Sequence, residues 1–169
     1  MITYRDGTLA DAASMARLGA QTFTETFGHL YAPEDLALFL ANHREEKWRD
    51  ELGSADLAVR VAEADGVAAG YAKVGPPSLP FEVTRPTAEL RQFYVLKPWH
   101  GAGVAHALMA WVEEEARRRG AEQIFLSVFI DNHRARRFYE RYGFAVVGTY
   151  HFMVGSHADD DLIMRKLLA

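Results

Sequence analysis

The sequence predicts an α+β fold (an α/β three-layer arrangement) in which a mostly antiparallel mixed sheet carries helices on both faces. Three observations predict it. Apolar residues recur at helical spacing early in the chain, then shift to strand-length runs bounded by turn residues. Asp65-Gly66 divides two such runs as a two-residue hairpin turn. Further on, a helix-length pattern separates two strand-like runs, and a crossover of that kind makes the two strands parallel.

The elements follow in order. After an apolar opening at Ile2 and Tyr4, Thr8 with Asp11 forms a capping-box pattern, and Ala12, Met15, Gly19, Phe23 and Phe27 continue it at helical spacing. Pro33-Glu34-Asp35 starts a second helix whose inner face is Leu36, Phe39, Leu40 and His43. Trp48 and Leu52 mark a third, closed by Gly53. Strands are expected at 57–64 and 67–74 around the hairpin, and the proline-rich stretch 75–86 is a loop. A third strand covers 88–96. The next helix, 103–119, carries Leu108, Trp111, Val112 and Ala116 on one stripe and ends at Gly120. A strand at 124–130, a helix at 132–142 stopped by Gly143, and strands at 145–154 and 161–167 complete the order. The stretch between those last two strands, 155–160, reads as a polar turn, and His157 with Asp159 to Asp161 does not read as a metal site.

At 169 residues the chain fits one domain spanning 1–169, with 49% hydrophobic and 25% charged residues. The absence of cysteine excludes disulfides, thiolate metal sites and acyl-cysteine intermediates. A net charge of −4 lacks the basic footprint of a nucleic-acid binder. No apolar run approaches the ~20 residues of a membrane span. The opening MITYRDGTLADAA has no apolar signal region, so a cytoplasmic location is expected.

The most informative stretch is Leu96-Lys97-Pro98-Trp99-His100-Gly101-Ala102-Gly103-Val104-Ala105, where a strand ends and a long helix begins through small residues. The first N–H groups of a helix lack internal partners, and with the helix dipole they favour a phosphate or diphosphate. Acidic residues usually enrich a first helical turn, yet none occurs between Lys97 and Glu113. A bound anion would supply that charge. The stretch lacks the Lys-Ser/Thr pair of a Walker loop, and His106 stands where a dinucleotide fingerprint needs its third glycine.

His100-Gly101-Ala102-Gly103-Val104-Ala105 resembles the CoA-binding signature of the GNAT acetyltransferase superfamily, with His100 in place of the usual Gln or Arg. About thirty residues later, Asn132-x-x-Ala135-x-x-Phe138-Tyr139-x-x-x-Gly143-Phe144 resembles that family's second motif. Over nearly the whole chain the sequence is similar to PaiA-like spermidine/spermine acetyltransferases, including Thr22-Phe23, Thr26-Phe27, residues 69–74, Glu89-Leu90, Tyr94-Val95 and the tail from residue 152.

The resemblance implies a GNAT-like sheet splayed between the 88–96 and 124–130 strands, acetyl-CoA as co-substrate without a metal, and a small-molecule amine acceptor, a small polyamine being the leading reading. Backbone groups of Phe93, Tyr94 and Val95 would pair with the pantetheine arm, and an N–H near Val95 would polarise the thioester. The amides of His100, Gly101, Ala102, Gly103, Val104 and Ala105 would hold the diphosphate. Asn132 would cap its helix and touch the arm, and Arg136 would reach a CoA phosphate. Tyr139 is the expected acid for the departing thiolate and Glu89 the expected base for the amine. Two readings compete with a polyamine acceptor: a protein N-terminus, lysine or aminoglycoside as acceptor, or a CoA-binding regulatory module with little turnover. Family habit also admits a homodimer.

Overall fold

The computed structural model describes residues 1–41 and 44–169, except for the side chains of residues 152 and 157. Its elements are β1 (Ile2–Asp6), α1 (Ala12–Phe27), α2 (Pro33–Leu40), α3 (Glu45–Leu52), β2 (Ala58–Ala64), β3 (Val67–Gly75), β4 (Thr87–Val95), α4 (Val104–Arg118), β5 (Gln123–Phe129), α5 (His133–Arg141), β6 (Ala145–Val154) and β7 (His157–Leu167). The order matches the expectation from periodicity. His43, expected on the inner face of α2, lies outside the described residues.

The strands form one seven-stranded sheet in the order β1-β2-β3-β4-β5-β7-β6. Among the described residues only β4 and β5 are parallel, and the neighbouring pairs are antiparallel. Asp65 and Gly66 turn the β2–β3 hairpin with φ of 51° and 80°, the positive values that a tight two-residue turn requires. Asp11 accepts the Thr8 N–H at 2.7 Å and a paired guanidinium from Arg5, which ties the start of α1 to β1.

Helices cover both faces of the sheet. On one face Leu108, Met109, Val112 and Ala116 of α4 pack with Ala72, Leu90, Ile124 and Leu126, all buried. On the other, Met15 and Leu18 of α1 and Trp48 of α3 pack over Val61 and Tyr71. Lys73 crosses beneath α3, its ammonium 4.1 Å from the centre of the Trp48 ring and 2.7 Å from Glu51. A third cluster, Phe23 with Tyr31 and Val154, joins α1 to the end of β6.

Two features depart from the expectation. Lys73 pairs with Gln92 and Val74 with Leu90, so Arg91 is an extra residue in β4. This bulge breaks the alternation that would put Glu89 on the same face as Phe93 and Val95; Glu89 instead shares a face with Gln92 and Tyr94. The last hairpin is also tighter than a six-residue turn. Gly155 and Ser156 make the turn, and β7 begins at His157, so Asp159 and Asp160 are strand residues along with Asp161.

Candidate active site

The central cleft comes from a divergence of strands. β4 and β5 pair only at Thr87 with Gln123, Ala88 with Ile124 and Glu89 with Phe125. Beyond that point β5 continues along β7, β4 continues along β3, and the two separate. The Leu96 N–H donates to the Ala69 carbonyl at 2.8 Å. Alternation therefore turns the backbone of Tyr94 toward β3 and opens that of Phe93 and Val95 to the cleft. The resulting cavity holds about 460 Å³, within the range of small-molecule sites.

At one end the cavity meets the start of α4. Gly101 and Gly103 have φ of 80° and 84°, a backbone that glycine adopts without strain. Ala102 donates to the Trp99 carbonyl and Ala107 to that of Gly103, but the N–H groups of Gly103, Val104, Ala105 and His106 have no acceptor among the described residues. A Cβ built at Gly101 or Gly103 would meet nothing within 4 Å, so the space beside these amides is open. His100 Nε2 donates to the Val95 carbonyl at 2.8 Å, which leaves Nδ1 to accept from the Arg134 guanidinium. The donors and Arg134 together make this end of the cavity suitable for an anion.

Helix α5 supplies the next wall. Asn132 caps it by accepting the Ala135 N–H at 3.3 Å. One turn later Tyr139 enters the cavity, its ring edge-on to Phe93 and Phe144 at 6.2 and 5.8 Å between centres. Its hydroxyl has no hydrogen-bond partner among the described residues. Burial pushes the pKa of the phenol well above its ordinary value, with Tyr94 adding to the effect, so it stays protonated at neutral pH.

The opposite end is aromatic and acidic. Phe23 stacks on Phe39 at 4.1 Å and lies 5.1 Å from Phe27, which meets Phe129 edge-on at 6.0 Å. Asp159 and Asp161 of β7 line the cavity beside these rings and are 4% and 7% exposed. Tyr31 donates its hydroxyl to Asp159.

A model of the acetyltransferase (GNAT) family matches residues 19–144. The chain belongs to the GNAT acetyltransferase family. Membership makes it an acyl-CoA-dependent N-acetyltransferase. An uncharacterized N-acetyltransferase of Mycobacterium tuberculosis is 34% identical over 161 residues, covering 95% of this chain and 99% of that protein. One from Lactobacillus delbrueckii subsp. lactis is 27% identical over 160 residues, 94% of this chain and 92% of its own. Among solved structures, the PaiA N-acetyltransferase of Thermoplasma acidophilum in complex with coenzyme A superposes with a TM-score of 0.83 at 21% identity, covering 99% of both chains. That identity speaks for a shared fold.

Against the GNAT frame, several site residues stand elsewhere than the sequence implied. Glu89 does not line the cavity: its carboxylate accepts the Ser78 N–H at 2.6 Å, the Ser78 hydroxyl at 2.7 Å and the Leu79 N–H at 3.0 Å. It anchors the proline-rich loop, because the bulge at Arg91 turns it to that side. Arg136 donates to the Ile130 carbonyl at 2.8 Å, closing its own helix start, and it is Arg134 and Arg141 of α5 that line the cavity. Ala102 and Val104 stay out of the cavity lining; Val104 is a core residue, so only its N–H can serve there. The N-terminal helices contribute Phe23, Thr26, Phe27 and Phe39 to the cavity. Glu25 accepts the Lys97 N–H at 3.3 Å and Asp35 the Ser156 N–H at 2.9 Å. The sequence reading missed Asp159 and Asp161, whose only signal was the alternation of Asp159, Asp161 and Ile163 on one side of a strand. Among the described residues there is no cluster of metal-ligand type and no helix long and apolar enough to cross a membrane.

Proposed function

We propose that this GNAT protein transfers an acetyl group from acetyl-CoA directly to a primary amine, and that the acceptor is a small polyamine. One observation carries the reading: a single cavity has unpaired amides and Arg134 at one end and buried carboxylates among aromatic rings at the other. The first end suits a diphosphate and the second an alkylammonium, so the two reactants would meet between them.

The fit of CoA to this chain rests on the free donors of Gly103 to His106 and on the open space beside Gly101 and Gly103. The cleft-facing backbone of Phe93 and Val95 would hold the pantetheine arm as an added strand, with Asn132 beside it. The Val95 N–H is the donor in reach of the thioester carbonyl, where charge develops as the amine attacks. Its carbonyl, held by His100, is not available to the arm. As the C–S bond breaks, Tyr139 gives its proton to the sulfur. A buried phenol whose hydroxyl makes no other bond has that proton free to give.

The test is steady-state thiol release from acetyl-CoA with a panel of spermidine, spermine, an aminoglycoside and a lysine peptide. Spermidine or spermine should give the highest kcat/KM. A preference for the peptide or the aminoglycoside would move the acceptor class. Tight acetyl-CoA binding with no amine-stimulated release would favour a regulatory module.

A further inference from the structure

We propose that Asp161 receives the acceptor's ammonium group and takes a proton from it, so that the recess it shares with Phe23, Phe27 and Phe39 selects primary alkylammonium acceptors. The proposal rests on the amine-transfer reading above and adds the group that does the work.

Asp161 sits inside β7, paired with Phe129 on β5 and Tyr150 on β6, so its position is held by strands on both sides. It lines the cavity and is 7% exposed, yet among the described residues no hydrogen bond or salt bridge reaches its carboxylate. Buried carboxylates are ordinarily paired or hydrogen-bonded, because leaving water uncompensated is costly. The neighbouring acids are accounted for differently. Asp159 is engaged by Tyr31, and Asp160 is exposed and 3.0 Å from His151. Asp161 is the acid left without a donor, and the cavity is the side from which one can come.

The groups facing it are Asp159 and Asp160 on its own strand, Tyr94 on β4 and Tyr150 on β6, with Tyr31 behind Asp159; the nearby β5 residues Ser127 and Phe129 carry no charge. Burial first, then Asp159 and Asp160, raise its pKa from 3.8 to about 7. Tyr94 is pushed up to about 12 and Tyr150 upward, so both stay neutral. Proton transfer from an alkylammonium near pKa 10 to a carboxyl near 7 is uphill by about 10³, against about 10⁶ for an ordinary carboxylate. Two protons leave the nitrogen in the full reaction. The first passes to Asp161 and on to water; the second, released as the C–N bond forms, restores the one Tyr139 gives to the sulfur. The products are the amide, CoA thiol and one proton.

The experiment compares the protein with Asp161→Asn in acetyl-CoA affinity, measured calorimetrically, and in kcat/KM for spermidine from pH 5.5 to 9.5. It adds a straight-chain monoamine and an amino acid of similar length. The expected result is acetyl-CoA affinity within about twofold, a fall in kcat/KM of ~10²- to 10³-fold, and loss of the acid limb that the parent shows near pH 7. The parent should reject the amino acid, and the variant should lose most of that discrimination. Equal kcat/KM and an unchanged pH profile in a variant that binds acetyl-CoA normally would overturn the role of Asp161 while leaving amine transfer intact. No turnover of any amine by the parent protein would overturn both.

Discussion

Replacing Tyr139 by phenylalanine separates a chemical role from a packing one. The ring is the packing element: it meets Phe93 and Phe144 edge-on and is buried with them. Those contacts survive in Tyr139→Phe. The hydroxyl has no partner among the described residues, so no buried donor or acceptor is orphaned by its removal, and stability should change by no more than about 0.5 kcal/mol. The rate should respond differently. A positioned general acid contributes roughly 10²- to 10⁴-fold, and water in the cavity can replace part of that, so kcat should fall ~10- to 100-fold. The ratio corresponds to about 1.4 to 2.7 kcal/mol of transition-state stabilisation. The assay is steady-state thiol release, with acetyl-CoA affinity and thermal unfolding measured on the same preparations. The signature is lower kcat, unchanged acetyl-CoA affinity and an unchanged melt. An unaltered kcat with the chemical step shown to limit turnover would remove Tyr139 from the mechanism.

Other expectations follow from the same geometry. In Gly103→Asp the Cβ meets open space and the αL backbone suits Asp better than most residues, so the protein should fold but bind CoA at least ~100-fold more weakly in calorimetry; Gly103→Asn, equal in shape and uncharged, should lose far less. Glu89→Gln weakens the anchor of the proline-rich loop and should cost about 1–3 kcal/mol in denaturant unfolding, with the shape of the pH–rate profile unchanged; a shifted acid limb would restore Glu89 as the base. Asp161 has a folded pKa near 7 against 3.8 when unfolded, so its contribution to stability is most favourable below pH 4 and is lost as pH rises toward and through 7. Asp161→Asn should therefore be the more stable protein at pH 8, by about 1–3 kcal/mol with allowance for the water-facing side of the cavity, and a lower melting temperature than the parent there would contradict the strained carboxylate.

Much of this arrangement was legible from periodicity and turn chemistry. Asp65-Gly66 marked the hairpin, Gly120 and Gly143 marked helix ends, and the run from Trp99 to Ala105 marked the open start of α4 with its free N–H groups. What escaped has a common physical origin. The bulge at Arg91 carries no compositional signature, since its residue pairs normally with solvent and loop, yet one inserted residue moved Glu89 to the other face of the sheet. Asp159 and Asp160 read as a turn because Asp disfavours strands, but pairing along β6 outweighs that preference, extends β7 back to His157 and carries Asp159 into the cavity beside Asp161. Arg134 and Arg136 are two apart on one short helix, and periodicity alone does not say which turns to the cleft. The Ile130 carbonyl that holds Arg136 is a contact across the loop before α5, visible only in three dimensions.

A crystal structure of the protein with CoA tests the central claim most directly. The account predicts the diphosphate on the N–H groups of Gly103 to His106, with the thiol arm running between β4 and β5 toward Tyr139. A nucleotide bound elsewhere, with that helix mouth filled only by water, would contradict it.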